Sequence, residues 1–314
     1  MAPNGIIFAR RAYNSLGFEK GYNFALFLIL AGTLGIFTAN RLGYLSFDNG
    51  LCPKTGGTLS CFYYIPGSRD KLGIIVHLST IFPACLLVVL QFTPLVRRRY
   101  RLFHRINGYL VISLSVISTF AAFTLAPNAM GGELSTQTGI AVLGVAFLSS
   151  FALAIYYIRR KRVAEHRAWM LRAWVYAGSI ITLRTVLNAL VSFVGQNGKY
   201  YYAMPCDRVI WGMFGDVNRT LEQYPGCADF FSGTTPGATV AVRATDLGGT
   251  VANIAAAYSV SFGPSIWVSL VLHAVAVEVY LSLTPGPGKP PAPLLAGDTP
   301  VPTYGSCEGS SSGS

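Results

Sequence analysis

The stretch LGIIVHLSTIFPACLLVVLQFTPLVRRRYRLFHR, residues 72–105, decides the fold. Residues 72–96 hold no Asp, Glu, Lys or Arg, and Arg97, Arg98, Arg99, Arg101 and Arg105 follow at once. A bilayer core of about 30 Å takes roughly 20 apolar residues of helix at 1.5 Å rise per residue. The stretch therefore reads as a membrane span, Gly73 to Val96, ending in a basic anchor.

Working outward, Tyr22 to Asn40, Asn107 to Pro127, Thr138 to Ile158, Ala168 to Val194 and Asn253 to Leu283 qualify on the same criterion. The expected fold class is all-α, a polytopic transmembrane helix bundle with about six spans. Composition agrees. Hydrophobic residues make up 52% of the chain and charged residues 12%, well under the charged share of about 25% usual in soluble domains. A net charge of +11 would suggest nucleic acid in a soluble protein. Here the basic residues sit in short runs beside the spans, the pattern that writes membrane orientation, so nucleic acid is excluded as a partner.

The second basic run is Arg159, Arg160, Lys161, Arg162 and Arg167, whereas residues 128–137 carry no Lys or Arg. Positive connections stay in the cytosol, which places Arg10, Arg11 and Lys20, and with them both termini, on that side. Cys52 and Cys61 in the first connection and Cys206 and Cys227 in the fifth then face an oxidising compartment. Disulfides are expected there, and spacing leaves all three pairings open. The tripeptide Asn218-Arg219-Thr220 lies on the same side as a candidate glycosylation site. An endoplasmic reticulum or other secretory-pathway membrane follows. No cleavable signal peptide is evident, because the first apolar run is long enough to remain as an anchor.

The domain reading is a cytosolic amino terminus (1–21), a bundle (22–283) including an extracytosolic loop (195–252), and a Pro/Gly/Ser-rich cytosolic tail (284–314) too poor in apolar residues to fold. A loop as long as 195–252, with aromatic clusters at Tyr200 to Tyr202, Trp211, Phe214, Phe230 and Phe231, is expected to fold as an ordered cap. No internal repeat is visible, which argues against the inverted-repeat transporters.

Ionisable residues at membrane depth are costly and need a reason. His77, Arg184, His273 and Glu278 are the cases. His77 and Arg184 fall in the outer half. Asn188, one turn after Arg184, is expected on the same face, and Glu133 and Gln137 of the short outer connection can fold over them. His77, Arg184, Glu133 and Asn188 are the candidate catalytic set. Glu278 reads as reaching the inner interface by snorkelling and His273 as a packing residue.

Two blocks stand at the cytosolic starts of helices, His104-Arg105-Ile106-Asn107-Gly108-Tyr109 and Glu165-His166-Arg167-Ala168-Trp169-Met170-Leu171-Arg172. With His77, they resemble an uncharacterised family of small polytopic membrane proteins of bacteria and fungi, over roughly Leu72 to Val194. Proteins of this look include the fungal membrane-bound terpene cyclase of ascofuranone biosynthesis. That resemblance implies ring closure on an epoxidised prenylated (meroterpenoid) substrate in secondary metabolism, without a cofactor, but it transfers no catalytic motif residue by residue. Such chemistry must protonate an epoxide oxygen, shield a carbocation from water and close the ring internally. His77 or Glu133 would donate the proton, Arg184 would hold the oxygen, and Tyr201 or Trp211 would face the cation. The partner would be a lipophilic isoprenoid entering from the bilayer. The competing readings are a haem b electron carrier with His104 and His166 as axial ligands and a non-enzymatic membrane component. Oligomeric state is not legible in the sequence.

Overall fold

The computed structural model describes residue 10 and residues 13–53, 59–245 and 248–284. The expected tail, apart from Thr284, and the first nine residues lie outside these. Among the described residues six helices are long and apolar enough to cross a membrane. They are α1 (Gly21–Ala39), α2 (Arg69–Phe92), α3 (Arg101–Leu125), α4 (Leu134–Arg159), α5 (Val163–Asn197) and α6 (Val251–Leu283). The protein is an all-α polytopic membrane bundle. Ile29, Ile36, Val145, Leu272 and Val275 stand exposed on these helices, where lipid tails are the only solvent that suits them.

Several boundaries differ from the sequence expectation. The second span stops at Phe92 and not at Val96. Pro94 has no N–H to continue the ladder and pushes Thr93 to extended backbone (φ −75°, ψ 116°). A separate short helix, Pro94–Arg99, carries the arginines. α3 starts at Arg101, six residues before Asn107, so His104 and Asn107 lie within the helix and not before it. α5 is the longest, running past Val194 to Asn197 and ending at Gly198 in the left-handed conformation (φ 68°) that glycine adopts without strain. The α5–α6 connection is correspondingly shorter than 195–252.

Helix α2 packs mainly on α3, and α5 packs on both α4 and α6. Two cores result. Near the arginine-rich end, Val88, Val111, Phe147, Phe151 and Trp174 interlock, with the Phe147 and Trp174 rings edge to face at 5.9 Å. At the other end, Leu187, Val191 and Val194 of α5 and Ala252, Ala256 and Phe262 of α6 share one core with Met204, Val209 and Val242 of the connection above them.

That connection is the ordered cap anticipated from its aromatics and cysteines, and it contains the two strands described in this chain. Strand β1 (Tyr201–Pro205) pairs antiparallel with β2 (Thr239–Arg243), Tyr201 opposite Arg243 and Pro205 opposite Thr239. Short helices at Cys206–Gly212, Val217–Gln223 and Ala228–Phe231 lie between them. Both disulfides are local, Cys52–Cys61 and Cys206–Cys227. α6 then opens with a capping box in which Thr250 and Asn253 each satisfy the other's backbone N–H.

Small residues set the helix spacing, as they do where lipid removes any hydrophobic drive between spans. A Cβ on Gly263 would stand 2.0 Å from Ser135 Oγ and 3.0 Å from the Thr136 backbone nitrogen. Gly263→Val must therefore open the α4–α6 seam. The expected cost is about 1–3 kcal/mol, read as a lower thermal midpoint in detergent, whereas Gly35→Val, with nothing within 4 Å of its Cβ, leaves the midpoint unchanged.

Toward the opposite end, Glu278 does more than snorkel. It accepts two hydrogen bonds from Arg172 of α5, at 2.6 and 2.8 Å. Arg172 also lies 4.5 Å over the Trp169 ring. His273 is a packing residue, its ring nitrogens 2.7 Å from the Val175 carbonyl and 2.8 Å from Thr182 Oγ1.

Candidate functional site

A cavity of about 140 Å³ lies where the first connection meets the bundle, reaching from Ser60 and Tyr64 of that connection down to Arg184 on α5. Its apolar wall is Leu125, Ala129, Met130 and Phe262, and its polar groups are Asp70, Asn128, Tyr64, Ser60 and Arg184. Asp70 sits in the first turn of α2, whose N-cap Ser68 accepts from the Lys71 backbone N–H at 3.1 Å. Only 8% of Asp70 is exposed. Its Oδ2 accepts from Asn128 Nδ2 at 3.2 Å, while Oδ1 is buried with no partner. Across the cavity the Arg184 guanidinium stands 6.0 Å over the Phe262 ring, and its Nε is also buried with no partner. Buried polar atoms are nearly always paired, so a carboxyl oxygen and a guanidinium nitrogen left without partners on one cavity are groups able to bind a polar ligand there.

The turn carrying Asn128 reverses the chain between α3 and α4. Met130 takes φ 49°, and Gly131 and Gly132 take φ 101° and 73°. A side chain on Gly131 would clash with Ser259 Oγ, Tyr202 Oη and Arg208 Nη1, all within 2.8 Å of its Cβ position. The cap locks this turn from above, the Tyr202 hydroxyl donating to the Gly131 carbonyl at 2.7 Å. Arg208, only 3% exposed, lies 5.7 Å over both the Tyr63 and the Tyr202 rings and donates to Ser259 Oγ at 3.3 Å. Neither Arg184 nor Arg208 has a carboxylate partner among the described residues, whose ion pairs are Arg98–Glu19, Arg162–Glu165 and Arg172–Glu278.

Burial pushes the Tyr64 phenol up to about 12, helped by the nearby Asp70 carboxylate and opposed by a hydrogen bond with Ser60. Burial also raises Tyr63 and Tyr202, there against the neighbouring Arg208. A raised phenol binds its proton more tightly folded than unfolded. The Tyr64 contribution to stability is therefore complete below about pH 10 and lost as pH climbs toward about 12. The 295 nm titration difference between wild type and Tyr64→Phe is expected to show a phenol ionising more than one unit above ordinary tyrosine. A difference curve centred near pH 10 would contradict the buried position.

Of the expected catalytic set, the cavity wall takes only Arg184. His77 is turned into the α2–α3 seam, its Nδ1 3.0 Å from the Ser118 carbonyl and 2.9 Å from Ser118 Oγ. Asn188 is exposed and does not share the buried side of Arg184. Glu133 is the N-cap residue of α4, and burial raises its carboxyl against a hydrogen bond with Ser135. Gln137 donates to the Gly132 carbonyl at 2.7 Å, bracing the turn. Tyr201 is exposed and lines a separate groove beside β2, and Trp211 meets Phe62 edge to face at 6.0 Å, so Phe262 and Tyr64 are the rings on the cavity. Asn218 is exposed on the cap and Thr220 of its sequon is buried. His104 and His166 approach one another from α3 and α5 at the far end of the bundle.

Asp70, Asn128 and Tyr64 were missed because each looks ordinary in the sequence. Asp70 falls in a polar run before a span, where a helix-initiating acid is the default reading.

Residues 74–206 match the family described as Predicted membrane protein (DUF2306). The chain is also similar to the protein described as Ava biosynthesis cluster protein G of Aspergillus versicolor. The two are 23% identical over 312 residues, covering 85% of this chain and 90% of that relative. No solved structure matches the chain.

Proposed function

We propose that the protein is a membrane-bound terpene cyclase that closes a ring on an epoxidised prenylated substrate inside the cavity beneath the first connection. The observation that carries this reading is the pair of unpartnered groups, Asp70 Oδ1 and Arg184 Nε, on one cavity whose apolar wall includes Leu125, Met130 and Phe262. The similarity to a protein of a fungal biosynthesis cluster supports it. Asp70 in its protonated form gives its proton to the epoxide oxygen, and the C–O bond to the more substituted carbon breaks. The faces of Phe262 and Tyr64 stabilise the cation. A hydroxyl of the substrate attacks that carbon and returns its proton to Asp70, so the reaction is an isomerisation with no net gain or loss of atoms. Arg184, always charged, binds the oxygen throughout. A cavity of about 140 Å³ is about the volume that takes one benzene-sized group. It holds the reacting end of the chain while the remainder lies among lipid. The arginine-rich end faces the cytosol in this reading.

The test is to feed microsomes containing the protein an epoxidised prenylphenol in H₂¹⁸O. A ring-closed isomer without ¹⁸O, absent from control microsomes, is expected. Hydrolysis to a labelled diol, or no conversion of any isoprenoid epoxide, would refute the assignment.

A further inference from the structure

We propose that the arginine-rich end of the bundle holds a binding site for a phosphoryl group, with His104 and His166 at its base and Arg97 and Arg167 at its rim. Four groups able to carry positive charge converge there from three separate helices. Arg97 of the short helix lies within electrostatic reach of Arg167 on α5, and His104 of α3 lies within reach of both Arg97 and His166. Burial, then the charges of Arg167 and Arg98, lower the Arg97 guanidinium, opposed by Glu19. Orientation by positive charge alone needs arginines beside the spans but gives no reason to gather them against two half-buried imidazoles.

The nearby carboxylates are engaged elsewhere, Glu19 with Arg98 and Glu165 with Arg162. Other cations of this end rest on rings, Arg160 4.6 Å over Tyr156 and Arg162 4.8 Å over Tyr157. The base is held rigidly. His166 Nδ1 is 2.9 Å from the Ala154 carbonyl, which leaves Nε2 as the ring nitrogen available to a ligand. Gln91 Nε2 donates to the His104 carbonyl at 3.0 Å, and both Gln91 Oε1 and His104 Nδ1 are buried with no partner. Gly108 makes room for this clamp, since a Cβ there would stand 2.6 Å from Gln91 Nε2. The two sequence blocks that the cavity leaves unexplained thus meet at one end of the bundle.

Phosphoryl oxygens fit because guanidinium forks bind them bidentately and an imidazole, once protonated by the approaching anion's charge, adds a single donor. This cluster lies at the ends of α2, α3 and α5, the level of bilayer phosphates. A lipid phosphomonoester and a soluble diphosphate present the same group. This site is remote from the cavity and stands whether or not the protein is a cyclase.

Detergent-solubilised full-length protein would be titrated with short-chain phosphatidic acid, short-chain phosphatidylcholine and inorganic pyrophosphate, reading tryptophan fluorescence and thermal shift. Phosphatidic acid is expected to bind at least roughly tenfold more tightly than phosphatidylcholine. Arg97→Gln, Arg167→Gln and His104→Gln should each weaken that binding by roughly tenfold, with Arg97→Lys intermediate. Arg159→Gln, exposed at the same end, should change it by less than about twofold. Pyrophosphate binding with the same variant pattern would assign a soluble diphosphate, and binding of phosphatidic acid alone would assign a lipid headgroup. Equal loss in Arg159→Gln and Arg97→Gln, or no preference for either phosphoryl probe, would overturn the proposal.

Discussion

Asp70→Asn is expected to lower the rate of ring closure by roughly 10²–10⁴-fold, the usual contribution of a positioned proton donor. The substitution is nearly isosteric. Asn128 can still hydrogen-bond the side-chain oxygen that replaces Oδ2, so the thermal midpoint should hardly move. Arg184→Gln is expected to slow the reaction for a different reason, because the oxygen released from the epoxide loses its charge partner in a water-poor cavity. His77→Ala and Glu133→Gln serve as contrasts. Neither side chain lines the cavity, and each should leave turnover within about tenfold of wild type. His77→Ala should instead destabilise the α2–α3 seam, where its imidazole meets Ser118. Product formation that survives Asp70→Asn and vanishes in folded His77→Ala would move the chemistry out of the cavity.

Loss of the Cys206–Cys227 bridge is expected to have the largest effect on stability. Both cysteines are fully buried in the core that joins the cap to α5 and α6, and the bridge closes a loop of 21 residues. Removing a native disulfide typically costs 2–5 kcal/mol. The Cys206→Ala/Cys227→Ala protein should melt well below wild type in detergent. It should also lose activity at temperatures where the bundle survives, because Tyr202 and Arg208, which lock the Gly131 turn, flank Cys206. The Cys52–Cys61 bridge closes only 9 residues, and the logarithmic dependence on loop length makes its loss milder by about 0.7 kcal/mol. Equal midpoints for the two double variants would show that cross-link entropy is not what the cap relies on.

The six spans were legible because a bilayer imposes a length and an apolar composition on each helix independently of its neighbours. Their ends were less legible. Thr93 and Pro94 stop α2 through backbone sterics, and Pro94 was passed over because its flanks are apolar. The ordered cap could be read from its aromatic and cysteine content, whereas its strands, five residues each, carry too short an alternation to stand out. Arg184 was legible as a candidate because a charge at membrane depth is expensive wherever it occurs.

The sequence alone thus determined a six-span helical membrane protein with four of its six cysteines gathered in two connections, since hydrophobicity, charge and cysteine position are properties of single segments. The tertiary structure decided which cysteines pair, that His77 meets Ser118, and that Asp70, Asn128, Tyr64 and Arg184 share one cavity. These groups come from three regions far apart in the chain, Tyr64 with Asp70, Asn128, and Arg184. Their meeting depends on glycines such as Gly263 that set helix spacing and on a left-handed turn at residues 130–132, and contacts of that kind leave no periodic trace along the sequence.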